Sequence, residues 1–471
     1  MPRRSRLKAW ILFILVLLVL VTGGVSYLAW RQSVPAPRVT VTGTPPKHVG
    51  AKTPLGFVVE AERGAVALAE VRLVQGGSPV VVAKKEDSDS PRVELAVTLD
   101  PASGVREGPA TVEVWARDNF WRPLPPTPRP GASYEVTVDF TPPKLEVVAT
   151  TPYLAPGGAG LVVIRAGDAV KAETRVGAAA FPTFALGPQG TRVGLFALPY
   201  DYARGAALAV NAEDEAGNSA SRNFGGEVLP RKFRRDTIEL TDAFLQAKVP
   251  ELLPKQPASQ SLVDGFLVIN RDQRRQAEEE KRRLAAKTAD RPLWEGAFLQ
   301  PKNTKVFSNF AETRTYRYKG RDVDTQVHFG YDLASTKQAP VPAANKGVVV
   351  FVGPLTIYGN AIVLDHGLGL MTLYGHLSSP AVKVGDQVNR GQEIGRSGTT
   401  GLATGDHLHY EVLVHGVSVT PLEWWDAKWI QDRIVGPLQA AGLSQTGDAA
   451  PREKAAASNP APARPARRAA R

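Results

Sequence analysis

The longest uninterrupted apolar run lies near the start of the chain, where Ala9 to Trp30 carry no charged side chain and Ile11–Val21 contain no polar break. At 1.5 Å per residue such a helix covers a bilayer core of about 30 Å. Beyond it the period shortens. Arg38–Val41, Leu55–Glu60, Val93–Leu99 and Thr111–Ala116 alternate apolar and polar positions between Gly, Pro and Asp, which predicts an antiparallel β-sandwich after a Pro-rich stalk at Ser33–Arg38. A second series follows Thr141-Pro142-Pro143, with strands near Lys144–Ala149, Gly160–Arg165, Val193–Ala197 and Ala207–Ala212. Thr111–Asp118 and Ala207–Asp214 share alternation and a terminal Ala-x-Asp, as in a tandem pair. From Arg234 to Lys287 the period becomes helical. Thr241 caps a helix containing Phe244 and Leu245 that stops near Pro250, and Ser261 with Asp264 opens a longer one. Its second half, Arg271–Arg283, is almost wholly charged and reads as a solvated arm, since no apolar heptad seam runs through it. Lys346–Val352, Asn360–Asp365, Gly369–Tyr374 and Gly405–Val414 then alternate again between Gly-rich turns, predicting an all-β core. The expected organisation is mostly β: a cytoplasmic tip and transmembrane anchor at 1–32, β-sandwiches at 33–141 and 142–230, a helical arm at 231–295, an all-β domain at 296–432 and a disordered basic tail at 433–471.

Composition narrows the chemistry. With 471 residues, 43 Gly and 38 Pro, the chain can bury several cores and stays below the Gly and Pro content of disordered proteins. The absence of Cys excludes disulfides, thiolate metal sites and cysteine nucleophiles, so any metal must be held by His, Asp or Glu. A formal charge of +11 would suit nucleic acid. Arg3, Arg4, Arg6 and Lys8 precede the apolar span, however, and by the positive-inside rule they keep the tip cytoplasmic and export the remainder, away from chromosomal nucleic acid. A cleaved signal peptide is the competing reading. The apolar stretch is long for one, and Thr22-Gly23-Gly24 is a poor cleavage site, so a retained anchor is expected.

Of seven histidines, five fall between His328 and His409. His328 and Asp332 stand four apart, and His407-Leu408-His409 puts two imidazoles on one face of a strand. Two His and one Asp satisfy the three protein ligands of a catalytic zinc, with His376 available for proton transfer. Each motif is weak alone; an H-x-H on a strand is more often a solvated pair. Val382 to Gly395 resembles the turn repeat of lipoyl and biotinyl carrier domains, but no modifiable Lys stands at the expected hairpin tip.

Taken together, His328-x-x-x-Asp332, Tyr358-Gly359-Asn360, Asp365-His366-Gly367, Tyr374-Gly375-His376-Leu377-Ser378, Gly391-Gln392-x-Ile394-Gly395 and Gly405-Asp406-His407-Leu408-His409-Tyr410-Glu411 occur in the order found in lysostaphin/LytM-type zinc metallopeptidases, which the chain resembles from about Phe307 to Trp425. The resemblance implies a C-terminal all-β peptidase domain with a groove, hydrolysing peptide bonds of peptidoglycan through a zinc-activated water. It implies Zn2+ held by His328, Asp332 and His409, and His376 with His407 as the catalytic pair. His366, His48 and His415 are read as structural. Ala311 stands where many members have Gly, and Gln338-Ala339 replaces the common Gly-Thr. Asp214–Asn218 and the Thr-Pro-Pro linker resemble bacterial immunoglobulin-like repeats, implying two immunoglobulin-like sandwiches that act as a spacer. The expected partners are peptidoglycan, the cytoplasmic membrane through one transmembrane helix, and cell-wall or division proteins, with no nucleic acid; the folded domains lie in the periplasm or outside the cell. The alternative is a non-enzymatic activator or scaffold for a cell-wall amidase, a class in which the metal residues are usually lost.

Overall fold

A computed structural model describes residues 3–255 and 260–444; the basic tail expected from Gln445 onward lies outside the described residues. The chain divides into two compact units, Met1–Pro143 with the short segments Asp168–Lys171 and Ala212–Ala220, and Lys144–Gly167 with Ala172–Asn211 and Ser221–Arg471.

In the first unit the apolar run forms helix α1 (Arg3–Ser33). Its segment Leu7–Ser33, of mean hydropathy 2.7, is long and apolar enough to cross a membrane, and its side chains are not buried against protein. The chain then enters a β-sandwich. One sheet orders Arg38–Val41, Leu55–Glu60 and Arg92–Val97; the other orders His48–Val49, Ala132–Val138, Gly108–Asp118, Val66–Gln75 and Ser78–Glu86. Alternation sets the faces: Leu55, Phe57 and Val59 point inward and pack with Val71, Val112, Val114 and Val136 in one core. The Pro-rich stalk is pinned rather than free. Arg122, ion-paired with Asp118 at 2.7 Å, donates from Nε to the Val34 carbonyl at 3.0 Å and from Nη2 to that of Pro35 at 2.7 Å.

The second unit contains a four-stranded sheet ordered Phe184–Ala185, Thr191–Ala197, Ala159–Ala166 and Leu145–Thr150. It continues through α2 (Asp242–Leu252), α3 (Leu262–Val268) and α4 (Arg274–Ala285), the last two joined by a π-helical turn at Ile269–Gln273. Thr241 and Ser261 cap α2 and α3 as expected from sequence, each hydroxyl accepting a backbone N–H at 3.1 Å. The expectation of a solvated arm is corrected. Leu245, Val249, Phe266, Ile269, Ala277 and Leu284 share a core with Tyr316, Leu355, Val363, Leu373 and Leu413 of the downstream β domain. The charge count of α4 concealed a narrow inward stripe of Ala277, Lys281, Leu284 and Ala285, at helical spacings of four, three and one. The strand Arg235–Glu239 also joins this domain, pairing in parallel with Glu312–Tyr318, which in turn pairs with Arg321–His328.

The β domain is built on an eight-stranded sheet whose main path runs Lys305–Ser308, Tyr331–Ala334, Leu408–Val414, Leu370–Gly375, Asn360–Gly367, Gly347–Pro354 and Gln387–Val388. A short helix, Pro421–Trp425, places Trp424 fully inside. Residues 433–440, expected in the basic tail, are instead helical and bury Ile434 and Leu438.

His366 has the structural role expected of it: fully buried, it donates from Nδ1 to the Lys346 carbonyl at 2.7 Å and accepts from the Thr372 hydroxyl at 2.8 Å. Burial pushes its pKa down to about 4. The unfolded chain therefore binds a proton at higher pH than the folded chain does, and this group's contribution to stability falls as pH drops from about 6.5 toward 4. Thermal melts at pH 7 and pH 4.5 should show stability lost on acidification, with His366→Gln reducing the difference by about 2–3 kcal/mol. An unchanged difference would mean that His366 is not held neutral.

Candidate metal centre

Sheet register assembles the site. Asp332 and His409 are direct partners across the antiparallel pair Tyr331–Ala334 and Leu408–Val414, and Gly375, immediately before His376, pairs with His409 from the other side. His328 ends the strand Arg321–His328 opposite Glu312, and its carbonyl accepts the Ala311 N–H at 2.7 Å. His407 enters through an isolated bridge to Gly398. The loop before it is tied down by Asp406, which accepts from the Ser397 hydroxyl at 2.5 Å and the Gln338 N–H at 3.0 Å.

Two of these anchor points are strained. Ala311 and Gln338 hold φ of +57° and +55°, in the left-handed region where a Cβ is disfavoured. His376 itself sits at φ +60°, a conformation kept by the surrounding hydrogen bonds: its N–H donates to the Tyr358 carbonyl at 2.7 Å, and its Nδ1 to that of Thr400 at 2.8 Å.

All five candidate residues are buried and converge. His328 Nε2 lies 3.0 Å from Asp332 Oδ1 and 3.1 Å from His409 Nδ1, and His409 Nδ1 lies 2.9 Å from Asp332 Oδ1. His407 Nε2 is 3.5 Å from the same oxygen, and the His376 and His407 rings are 4.7 Å apart. The outer nitrogens fix the tautomers. A carbonyl oxygen only accepts, so His328 Nδ1 donates to Asn309 at 3.0 Å and His407 Nδ1 to Gly405 at 2.7 Å, while His409 Nε2 donates to Glu411 Oε1 at 2.9 Å. His328 Nε2 and His409 Nδ1 consequently present lone pairs to each other, beside a carboxylate oxygen. That arrangement is unfavourable by itself and suits a shared cation; His328, Asp332 and His409 fit a divalent metal of zinc's preference for nitrogen and oxygen donors.

The electrostatics follow from burial and neighbours. Burial disfavours charge on Asp332, but His328, His407 and His409 outweigh it and hold the carboxyl well below its ordinary range. For His409 burial is likewise outweighed, by Asp332 and Glu411, and the pKa is raised. Burial pushes His328 down, with Arg314 adding to the effect against Asp332. His376 is driven well below its ordinary value by burial and then by His407 and His409, so its imidazole stays neutral.

Sequence reasoning missed several groups. Arg314 Nη2 holds the outer oxygen of Asp332 at 3.0 Å; Tyr358, present in a quoted motif without a role, packs its ring 5.0 Å from that of His409. Glu411 was visible in the last motif, two residues after His409, without a role. The cleft lined by the five residues, about 560 Å³, also has side chains the motifs do not include, Ile238, Leu240, Phe244, Lys248 and Leu402 among them.

Such a constellation, two imidazoles and a carboxylate around one point with two further imidazoles at the mouth of a cleft in an all-β domain, defines a candidate mononuclear metal centre. Residues 326–421 match Peptidase family M23, a metallopeptidase family, and the chain carries a domain of that family. The chain is 41% identical over 119 residues to the peptidoglycan DD-endopeptidase ShyA of Vibrio cholerae, covering 25% of this chain and 27% of that protein. It is 42% identical over 97 residues to the DD-carboxypeptidase/endopeptidase Mpg of Neisseria meningitidis, covering 21% and 22%. The chain thus spans about a quarter of the length of the curated relatives it matches. Among solved structures, the catalytic domain of lysostaphin from Staphylococcus simulans is 31% identical, covering 26% of this chain and 92% of that one, with a TM-score of 0.23.

His328→Ala, Asp332→Ala and His409→Ala should each reduce bound zinc to below stoichiometric, because one of three protein ligands is lost. Elemental analysis of the purified variants checks this. Full occupancy in all three would mean that other residues hold the metal.

Proposed function

We propose that this chain is a membrane-anchored zinc metalloendopeptidase that hydrolyses peptide bonds of peptidoglycan, with His328, Asp332 and His409 holding the metal and His376 with His407 as the catalytic pair. The observation that carries this reading is the convergence of all five residues at one cleft of a domain whose relatives include named peptidoglycan DD-endopeptidases. When bound, zinc supplies Lewis acidity toward a scissile carbonyl and toward water. The protein supplies the rest. With their Nδ1 hydrogens committed to the carbonyls of Thr400 and Gly405, His376 and His407 direct Nε2 toward the cleft. Held neutral, His376 offers a lone pair at Nε2, and one of the two imidazoles must deliver a proton to the leaving amine. Phe307, Tyr358 and Leu402 give the cleft an apolar lining for the substrate, and the wall contributed by α2 narrows the choice of substrate.

Helix α1 is the anchor in this reading, with the N-terminal cations on the cytoplasmic side and both units in the periplasm or outside the cell. The two sandwiches, immunoglobulin-like in this proposal, act as a spacer that carries the peptidase to the wall. Protease added to spheroplasts should digest the chain beyond Gln32 and leave a short membrane-held peptide. Recovery of a soluble chain beginning near Val25 would replace the anchor with a cleaved signal peptide.

Digestion of purified peptidoglycan by the full chain in detergent should release fragments with new amine and carboxyl ends, identified by mass spectrometry. His376→Ala and His407→Ala should keep their zinc and their fold while activity falls by about 10²–10⁴-fold. Near wild-type rates with zinc bound would defeat the assignment of the pair. An inactive wild type on every peptidoglycan tested would favour the amidase-activator reading.

A further inference from the structure

A single lysine from outside the matched segment reaches the metal centre through one intermediate. Lys281, on α4, is completely buried, and its ammonium lies 3.0 Å from Glu411 Oε2, 3.1 Å from the Ser418 hydroxyl and 3.3 Å from that of Tyr358, with Glu278 one turn back at 2.5 Å. Glu411, also fully buried, accepts at its other oxygen the Nε2–H of His409, and Ser418 donates to Oε2 at 2.7 Å. The far nitrogen of His409 is the one that meets Asp332 and His328. Along this line every atom is specified by its partner: the ammonium fixes one carboxylate oxygen, and the other fixes the ring whose lone pair faces the metal position.

We propose that Lys281 is a positioning residue for the metal centre, orienting Glu411 so that His409 presents Nδ1 to the metal. The proposal rests on the metal-centre reading above. Its physical basis is the cost of a buried carboxylate. Fully buried, Glu411 needs partners from the protein for its charge; Ser418 donates to Oε2, and Lys281 is the cation in contact with that oxygen among the described residues. An outer carboxylate that turns or tilts lets the imidazole it orients do the same, and partners of this kind are worth about 10–100-fold in metal affinity. The lysine lies upstream of residues 326–421, so the helical arm bears on the metal centre through Glu411.

Zinc affinity of the full chain, measured by competition with a chromophoric chelator, tests this. Lys281→Met should weaken zinc binding by about 10–100-fold, as should Glu411→Gln, and the double variant should bind no more weakly than Glu411→Gln alone. If Lys281→Met does not fold, Glu278→Gln with Lys281→Met removes the second carboxylate left facing Glu411 and should show the same loss. Wild-type affinity in either folded lysine variant would overturn the proposal. Losses that add in the double variant would also overturn it, because they place the action of Lys281 elsewhere than through Glu411. A wild-type chain that binds no zinc would instead overturn the metal centre itself, and the proposal with it.

Discussion

Asp332 and His409 face each other across two hydrogen-bonded strands, and the rest of the site depends on that register. Side chains alternate along a strand, so a slip of one residue would turn His407 and His409 to the opposite face together. The same strand pairs Gly375 with His409 on its other edge, which delivers His376 at the following residue. Every residue of Leu408–Val414 is buried, so the strand is held from both faces and both edges. A cleft built on such a strand needs little local rigidity of its own; only the loops at Gly398–His407 and Asn309–Ala311 must be fixed separately, and both are tied by short polar contacts and left-handed turns.

Charge is the second constraint. The centre gathers a buried aspartate and a buried glutamate among four imidazoles, and each carboxylate has its own cation: Arg314 for Asp332, Lys281 for Glu411. Breaking either pair leaves a buried carboxylate without its cation. The pairing also gives the two acids different surroundings. Asp332 directs one oxygen toward His328 and His409, whereas both oxygens of Glu411 are taken by His409 on one side and by Lys281 and Ser418 on the other. The first is disposed as a metal ligand and the second as a support for one.

Much of this was legible in the residues. The spacings of His328 with Asp332 and of His407 with His409 suggested shared faces, each weakly alone; His376 and the division of roles among the five came from the resemblance to lysostaphin/LytM-type peptidases. The helices capped by Thr241 and Ser261 were legible for the same local reason. What escaped is tertiary. Lys281 belongs to a run of charges whose solvated reading is correct for Arg275, Glu279 and Arg283, and only the fold reveals that one position in that run points inward. Arg314 likewise looks like an ordinary strand arginine until register carries it to Asp332. Gly-to-Ala at 311 and the unusual Gln338 registered as departures from a pattern, but their meaning, two turns held at positive φ, required backbone angles.

The arm is where the separate constraints meet. The strand Arg235–Glu239 extends the hairpin that ends in His328; α2 supplies a wall of the cleft; α4 supplies the cation behind His409. Each contribution alone could be incidental packing, since a helix lying on a sheet must touch something. Together they reach His328, the cleft and, through Glu411, His409 from one continuous stretch upstream of the matched residues. The apolar contacts of Phe266, Ile269 and Leu284 hold that stretch in place, so the polar contacts do not have to bear the entropy of ordering it. Lys281 can then be completely buried, at a position where an exposed charged helix would have offered nothing to the site.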